Sequence, residues 1–139
     1  MCQNCLVKTI HHAQHHFGWD NSLSPVLHVA SGSQLEFHCL DAANGWFNAG
    51  STAADIPTLP FDKLNPVSGP VYVEGAQPGD ALKVTLESFR PSGFGWTANI
   101  PGFGLLADQF SDPALTLWQY DRQGLTPCAF GRYGRVPLK

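Results

Sequence analysis

The sequence is short of charge. Lys, Arg, Asp and Glu together make up 14% of its 139 residues, against ~25% in ordinary soluble domains. Only 8 residues are Lys or Arg, and the net charge is −3 at pH 7. That balance excludes a nucleic-acid binder working through a basic surface, and it excludes a polybasic membrane anchor. Long apolar runs are missing too. Nothing approaches the ~20 residues that a membrane-crossing helix needs. Met1-Cys2-Gln3-Asn4-Cys5 is not a charged start leading into an apolar stretch, so no signal peptide is expected. Cysteine is sparse. Cys2, Cys5, Cys39 and Cys128 are too few and too scattered for a secreted disulfide scaffold. The expected location is the cytoplasm, with reduced thiols. No segment reads as a convincing helix, and 14 Gly and 11 Pro punctuate the chain instead. Both residues disfavour helix interiors, so a helical bundle is excluded.

What is present is short β patterning. Apolar residues make up 43% of the chain, enough for one core and one domain over residues 1–139. Val26–Ala30 and Gln34–Leu40 flank Ser31-Gly32-Ser33 and predict a hairpin. In the second arm Leu35, Phe37 and Cys39 share one face, Glu36 and His38 the other. Residues 41–70 read as a long irregular loop with one short helical turn between Asp55 and Leu64. Val71–Glu74 predicts a strand, Gly75–Asp80 a turn, and Ala81–Phe89 a further strand with Leu82, Val84 and Leu86 on one face. Pro91–Gly95 breaks the pattern, and Leu115–Tyr120 predicts the last strand. Residues 130–139 would leave an open sheet edge suited to self-association. Pro25-Val26-Leu27 and Pro70-Val71-Tyr72 form an imperfect internal echo. Short strands between Gly and Pro turns predict an all-β sandwich or barrel.

Several groups could carry chemistry. His11, His12, His15 and His16 fall within six positions, and neutral imidazole is a common metal ligand. His16 and Asp20 flank Phe17-Gly18-Trp19 and could converge on one ion; the plainer reading is a polar segment with no ligand. A cupin-type site fails on spacing, because the first Glu after the histidines is Glu36. Cys2 and Cys5 have ligand spacing but no second pair. Gly102-x-Gly104 opens no strand-to-helix transition, and no Gly-x-Ser-x-Gly elbow exists. Asp55 lies in the long loop, where a carboxylate can be a metal ligand or general base; as a turn cap it would be purely structural. Glu74 ends an apolar strand, and burial there would require a partner. Asp80 reads as a turn residue.

Four stretches, in order, resemble the acetamidase/formamidase family. They are His16-Phe17-Gly18-Trp19-Asp20-Asn21-Ser22-Leu23-Ser24-Pro25-Val26-Leu27, Ser51-Thr52-Ala53-Ala54-Asp55, residues 65–80 around Val73-Glu74-Gly75-Ala76, and Ile100–Asp108. The resemblance implies a jelly-roll-like β-sandwich with long irregular loops. It also implies metal-assisted hydrolysis of short linear amides, such as formamide or acetamide, to a carboxylate and ammonia. By matching position, His16, Asp20 and Asp55 would be metal ligands, with Asp55 and Glu74 as catalytic carboxylates. Some relatives fill the position of Asp20 with His. The ion would be zinc, with calcium as the other candidate. Phe17, Trp19 and Trp96 would wall a pocket for short acyl groups. Family members are longer, so the chain is expected to match their front portion, and its partners would be a second copy or a complementary second-half chain. The competing expectation is an inactive module that self-associates or binds a small molecule.

Overall fold

The computed structural model describes residues 6–122, together with the strand pair Cys128–Ala129 and Arg135–Val136. Cys2 and Cys5, and the proposed edge at 130–139 apart from the backbone of Arg135–Val136, lie outside the described residues. The described chain is all-β with long irregular connections. Its strands are β1 (Lys8–Ile10), β2 (His15–His16), β3 (Leu27–Val29), β4 (Leu35–Phe37), β5 (Val67–Ser68), β6 (Val71–Val73), β7 (Phe94–Asn99), β8 (Ala114–Gln119), β9 (Cys128–Ala129) and β10 (Arg135–Val136). They pair in twos, and the chain divides into two compact units.

The first unit holds the chain up to Trp46 and again over Pro60–Lys83. Here β1 runs parallel to β4, with Ile10 opposite Phe37. β3 runs parallel to β6, with Leu27 opposite Val71 and Val29 opposite Val73. β2 and β5 pair antiparallel. The predicted hairpin over 26–40 is therefore incorrect. Its turn does form, since the Ser33 N–H donates to Ala30 O at 3.2 Å with Gly32 at φ 81. A local turn, however, does not decide which strands pair. Each arm takes a distant parallel partner, which buries Val29 and Ile10. The echo between Pro25-Val26-Leu27 and Pro70-Val71-Tyr72 is resolved by the same pairing: the two segments are ladder partners, and the Val26 N–H donates to Pro70 O at 2.9 Å. The alternation in the second arm also fails at Phe37, which is exposed.

The second unit holds Phe47–Leu59 and the chain from Val84 onward. Its frame is the β7–β8 hairpin, six antiparallel pairs from Phe94 opposite Gln119 to Asn99 opposite Ala114. β8 agrees with the strand expected over Leu115–Tyr120, but it is not the last, since β9 and β10 follow. β7 begins inside the Pro91–Gly95 stretch that reads as a break, because Gly95 sits within the strand opposite Trp118. Inside the ladder the Trp118 Nε1–H donates to Thr97 Oγ1 at 2.9 Å, and the Trp96 ring packs on Phe47 at 4.8 Å. Among the described residues Phe47, Ile56 and Leu59 are this unit's buried apolar side chains, each contributing about 1.5–3 kcal/mol by leaving water. The expected helical turn is present as two 3-10 segments, Ala53–Thr58 here and Phe61–Lys63 in the first unit. The strand expected over 81–89 is not formed. No strand is assigned to these residues, and Leu82, Val84 and Leu86 are 69–73% exposed. Period-two alternation makes a strand competent to pair but does not provide the partner.

Candidate functional site

His16 sits in β2 opposite Val67. Its ring is half-buried, and its Nδ1 is a buried polar atom with no hydrogen-bond partner. Leaving such a group unsatisfied costs about 1–3 kcal/mol. An orphaned acceptor or donor on this ring therefore calls for something to bind it. The chain then turns through Gly18, at φ 79, a conformation glycine adopts without a Cβ penalty. Asp20 follows. Its Oδ1 accepts from the Ser22 Oγ–H at 2.7 Å and from the Ser22 N–H at 2.9 Å. These two bonds hold the Asp20 carboxyl below its ordinary pKa of 3.8, a slight desolvation opposes them, and the field of His16 adds to them.

Zinc centres take three or four protein ligands. Among the described residues no three His, Cys, Asp or Glu side chains converge to hold an ion. Taken singly, His16 carries an imidazole nitrogen without a partner and Asp20 a carboxylate bonded to Ser22.

Glu74 has a partner that the sequence reading did not supply. Its Oε1 stands 3.0 Å from His28 Nδ1. The parallel register puts His28 beside Tyr72, with ring centroids 4.9 Å apart, and Glu74 extends the same face. Both members of the pair are more than half exposed, so Glu74 pairs without being buried. The echo between the two Pro-Val segments does not supply this pair, because aligning Pro25 with Pro70 sets His28 against Val73, one residue out of the observed register. A second such pair lies nearby in sequence, His38 Nε2 at 3.2 Å from Glu36 Oε1, with the His38 ring edge-on to His11.

Asp55, in the second unit, closes a capping box. Its Oδ2 accepts from the Thr52 N–H at 2.7 Å, and Thr52 Oγ1 accepts from the Ala54 N–H at 3.3 Å. This satisfies donors at the start of the 3-10 segment. Asp80 is a turn residue as expected, accepting from the Gln77 N–H at 2.8 Å. Of the expected pocket residues, Phe17 packs edge-on to His15, Trp19 is 93% exposed, and Trp96 belongs to the second unit's packing on Phe47. A cavity of about 450 Å³ lies elsewhere in that unit, lined by Asn99, Gln109, Phe110, Ser111, Asp112 and Ala114. The Asn99 amide shapes it by donating to Phe110 O at 3.1 Å and Asp112 O at 2.6 Å.

Residues 6–127 match the model of the Acetamidase/Formamidase family. The formamidase of Methylophilus methylotrophus is 29% identical over 113 residues, covering 77% of this chain and 28% of the relative. The acetamidase of Mycolicibacterium smegmatis is 27% identical over 124 residues, covering 80% and 30%. A predicted acetamidase/formamidase from the thermophile Thermoanaerobacter tengcongensis shares the fold with a TM-score of 0.82 at 23% identity, over 95% of this chain and 42% of that one. The acetamidase of Bacillus halodurans gives 0.72 at 23% identity, over 94% and 42%. The chain therefore spans less than a third of the length of these curated relatives and less than half of the solved ones.

Proposed function

The chain belongs to the acetamidase/formamidase family, and from that premise we propose that it carries part of a site hydrolysing short linear amides to a carboxylate and ammonia. The observation that carries the reading is His16. This residue opens the first family-like stretch and holds the buried, unpartnered Nδ1. In this reading His16 Nδ1 and the Asp20 carboxylate hold a divalent cation, zinc before calcium. Its other ligands come from outside the described residues or from a partner. When bound, the ion supplies Lewis-acid polarisation of the amide carbonyl.

Amide hydrolysis adds water to the carbonyl carbon, breaks the C–N bond and delivers a proton to the departing nitrogen. His28 and Glu74 suit the proton step. An ionised carboxylate only accepts, so Glu74 fixes Nδ1 as the donating nitrogen of His28. In the neutral ring Nε2 is then the proton-accepting atom, and it releases that proton to the amine once charged. Glu74 is thus a positioning residue acting through His28. Asp55 also positions, by holding the start of the 3-10 segment in the long loop. Phe17, partly exposed beside His15, offers an apolar face for a short acyl group.

A second reading is a module without turnover of its own. The exposure of His28 and Glu74, each more than half open to solvent, favours it. Ammonia release from formamide and acetamide by the purified chain, with metal content measured alongside, separates the two. Turnover and a bound ion, both lost in His16→Ala, support hydrolysis. A chain that releases no ammonia after loading with zinc or calcium supports the second reading.

A further inference from the structure

Tyr72 touches the His28–Glu74 pair without belonging to it. In the β3–β6 ladder Tyr72 stands directly opposite His28. The two rings lie 4.9 Å apart between centroids, with their planes inclined at 36°. Glu74 follows two residues later on the same face, with Oε1 at 3.0 Å from His28 Nδ1. The backbone under His28 is fixed from two sides. The Leu27–Val71 and Val29–Val73 pairs flank it in the ladder. Lys8 reaches over from β1, and its Nζ–H donates to His28 O at 3.0 Å. What remains to be fixed is the side chain, whose last torsion is broad and roughly two-fold.

One hydrogen bond leaves a pivot. A neutral imidazole tied to Glu74 only through Nδ1–H can swing about that bond. A half-turn about Cβ–Cγ puts Cδ2 where Nδ1 was and breaks the bond altogether. The His28 side chain is 58% exposed, so a surrounding core does little to prevent this. The ring of Tyr72 does prevent it, because an imidazole turning out of its plane sweeps an edge into the neighbouring aromatic face. Aromatic contacts of this kind favour one arrangement by roughly two- to tenfold.

We propose that Tyr72 is a positioning residue, whose aromatic plane holds the His28 ring with Nδ1–H toward Glu74 and Nε2 left for the proton step. The use of that orientation in turnover rests on the amide-hydrolysis reading. The hold on the ring does not.

The test reads the ring directly. Long-range proton–nitrogen NMR of the imidazoles is recorded at about pH 8.5, where an ordinary histidine is neutral. The His28 signals are assigned by their loss in His28→Gln. The wild-type chain should show a protonated Nδ1 and a bare Nε2. Tyr72→Val keeps a strand-favouring side chain between Val71 and Val73. It should draw the two nitrogen shifts toward each other, the mark of mixed tautomers. It should also lower kcat for ammonia release about threefold, with KM unchanged. Tyr72→Phe retains the plane and should restore both the shifts and the rate. Circular dichroism confirms that each variant retains the wild-type fold. Wild-type shifts in Tyr72→Val overturn the proposal. So does their loss in Tyr72→Phe, which would assign the effect to the hydroxyl. A wild-type chain that shows the Nδ1–H ring but releases no ammonia overturns the hydrolysis reading alone, and the shifts in Tyr72→Val still decide the hold of Tyr72 on His28.

Discussion

His28 Nδ1 lies 3.0 Å from Glu74 Oε1 although 46 residues separate the two. The contact follows from the parallel β3–β6 ladder, which sets His28 against Tyr72 and carries the chain on to Glu74 along the same face. The Glu74 N–H closes the ladder by donating to Val29 O at 2.8 Å. Backbone pairing rather than the side-chain contact therefore holds the two residues together.

That order of cause gives a prediction for Glu74→Gln. A side-chain contact this exposed contributes at most about 1 kcal/mol to stability, so the melting temperature should barely move. Under the proposed mechanism the ring of His28 loses its carboxylate. Turnover should then fall at least tenfold in kcat with KM nearly unchanged. Thermal melts alongside steady-state ammonia release check this. A purely structural pair would leave kcat per folded molecule at the wild-type level.

Asp20 sets an acid-side dependence. The two bonds from Ser22 lower its pKa in the folded chain below the ordinary 3.8. In the unfolded chain the carboxyl binds its proton first as the pH falls, so the unfolded state holds more protons just below 3.8. The contribution of Asp20 is therefore complete above that value and is lost as pH falls through the lower folded value. Ser22→Ala removes the hydroxyl bond and should raise the pKa of Asp20 toward 3.8. The chemical shift of the Asp20 carboxyl carbon, titrated by NMR in both proteins, measures the difference.

Asp55 separates a cap from a catalytic group. Loss of a capping side chain costs about 0.5–2 kcal/mol. Thr52→Ala and Asp55→Ala should each destabilise within that range, and together by less than the sum, because the two act on one turn. Asp55→Asn retains an acceptor oxygen for the Thr52 N–H and should recover much of the loss. If positioning is its whole contribution, Asp55→Asn also keeps the wild-type rate of ammonia release. A base or ligand role would instead show as a rate lost with stability intact. Urea midpoints and the ammonia assay together decide.

The β character of the chain was legible because Gly and Pro punctuation and short alternating runs are local properties. Leu115–Tyr120 and the turn near Asp55 were readable for the same reason. Pairing was not, because the hairpin turn at Ser31–Ser33 is consistent with either a hairpin or two parallel partners, and only the rest of the chain decides. β7 was hidden by Gly95, which weakens a strand signal unless its partner, here Trp118, is already known. The candidate residues His16, Asp20 and Glu74 were found from the family-like stretches, which encode positions. His28 was missed because its role depends on a register between segments 46 residues apart. The capping of Thr52 by Asp55 could not be told from a ligand role by spacing, because both need only a carboxylate in the loop.

The open end of the β7–β8 hairpin depends on one glycine. Gly93 has φ 85, and a Cβ there would meet Arg122 Nε at 3.0 Å and Arg122 Cγ at 3.1 Å. Arg122 is not free to yield, because its Nε–H donates to Ser92 O at 2.6 Å. The Tyr120 N–H also donates to Gly93 O at 3.1 Å, so the backbone at this position is tied to the opposite strand. Gly93→Ala therefore has two costs: a left-handed backbone with a side chain on it, and either a crowded Arg122 or a broken Arg122–Ser92 bond. The sum should be about 1–3 kcal/mol. Arg122→Ala removes the crowding but not the backbone strain. In Gly93→Ala with Arg122→Ala, the loss should fall short of the sum of the single losses by roughly 0.5–1 kcal/mol. Urea denaturation of the four proteins closes the cycle, and amide exchange at Tyr120 reports whether the hairpin end opens first. Strictly additive losses would mean that the backbone conformation alone, and not the Arg122 contact, requires glycine at this position.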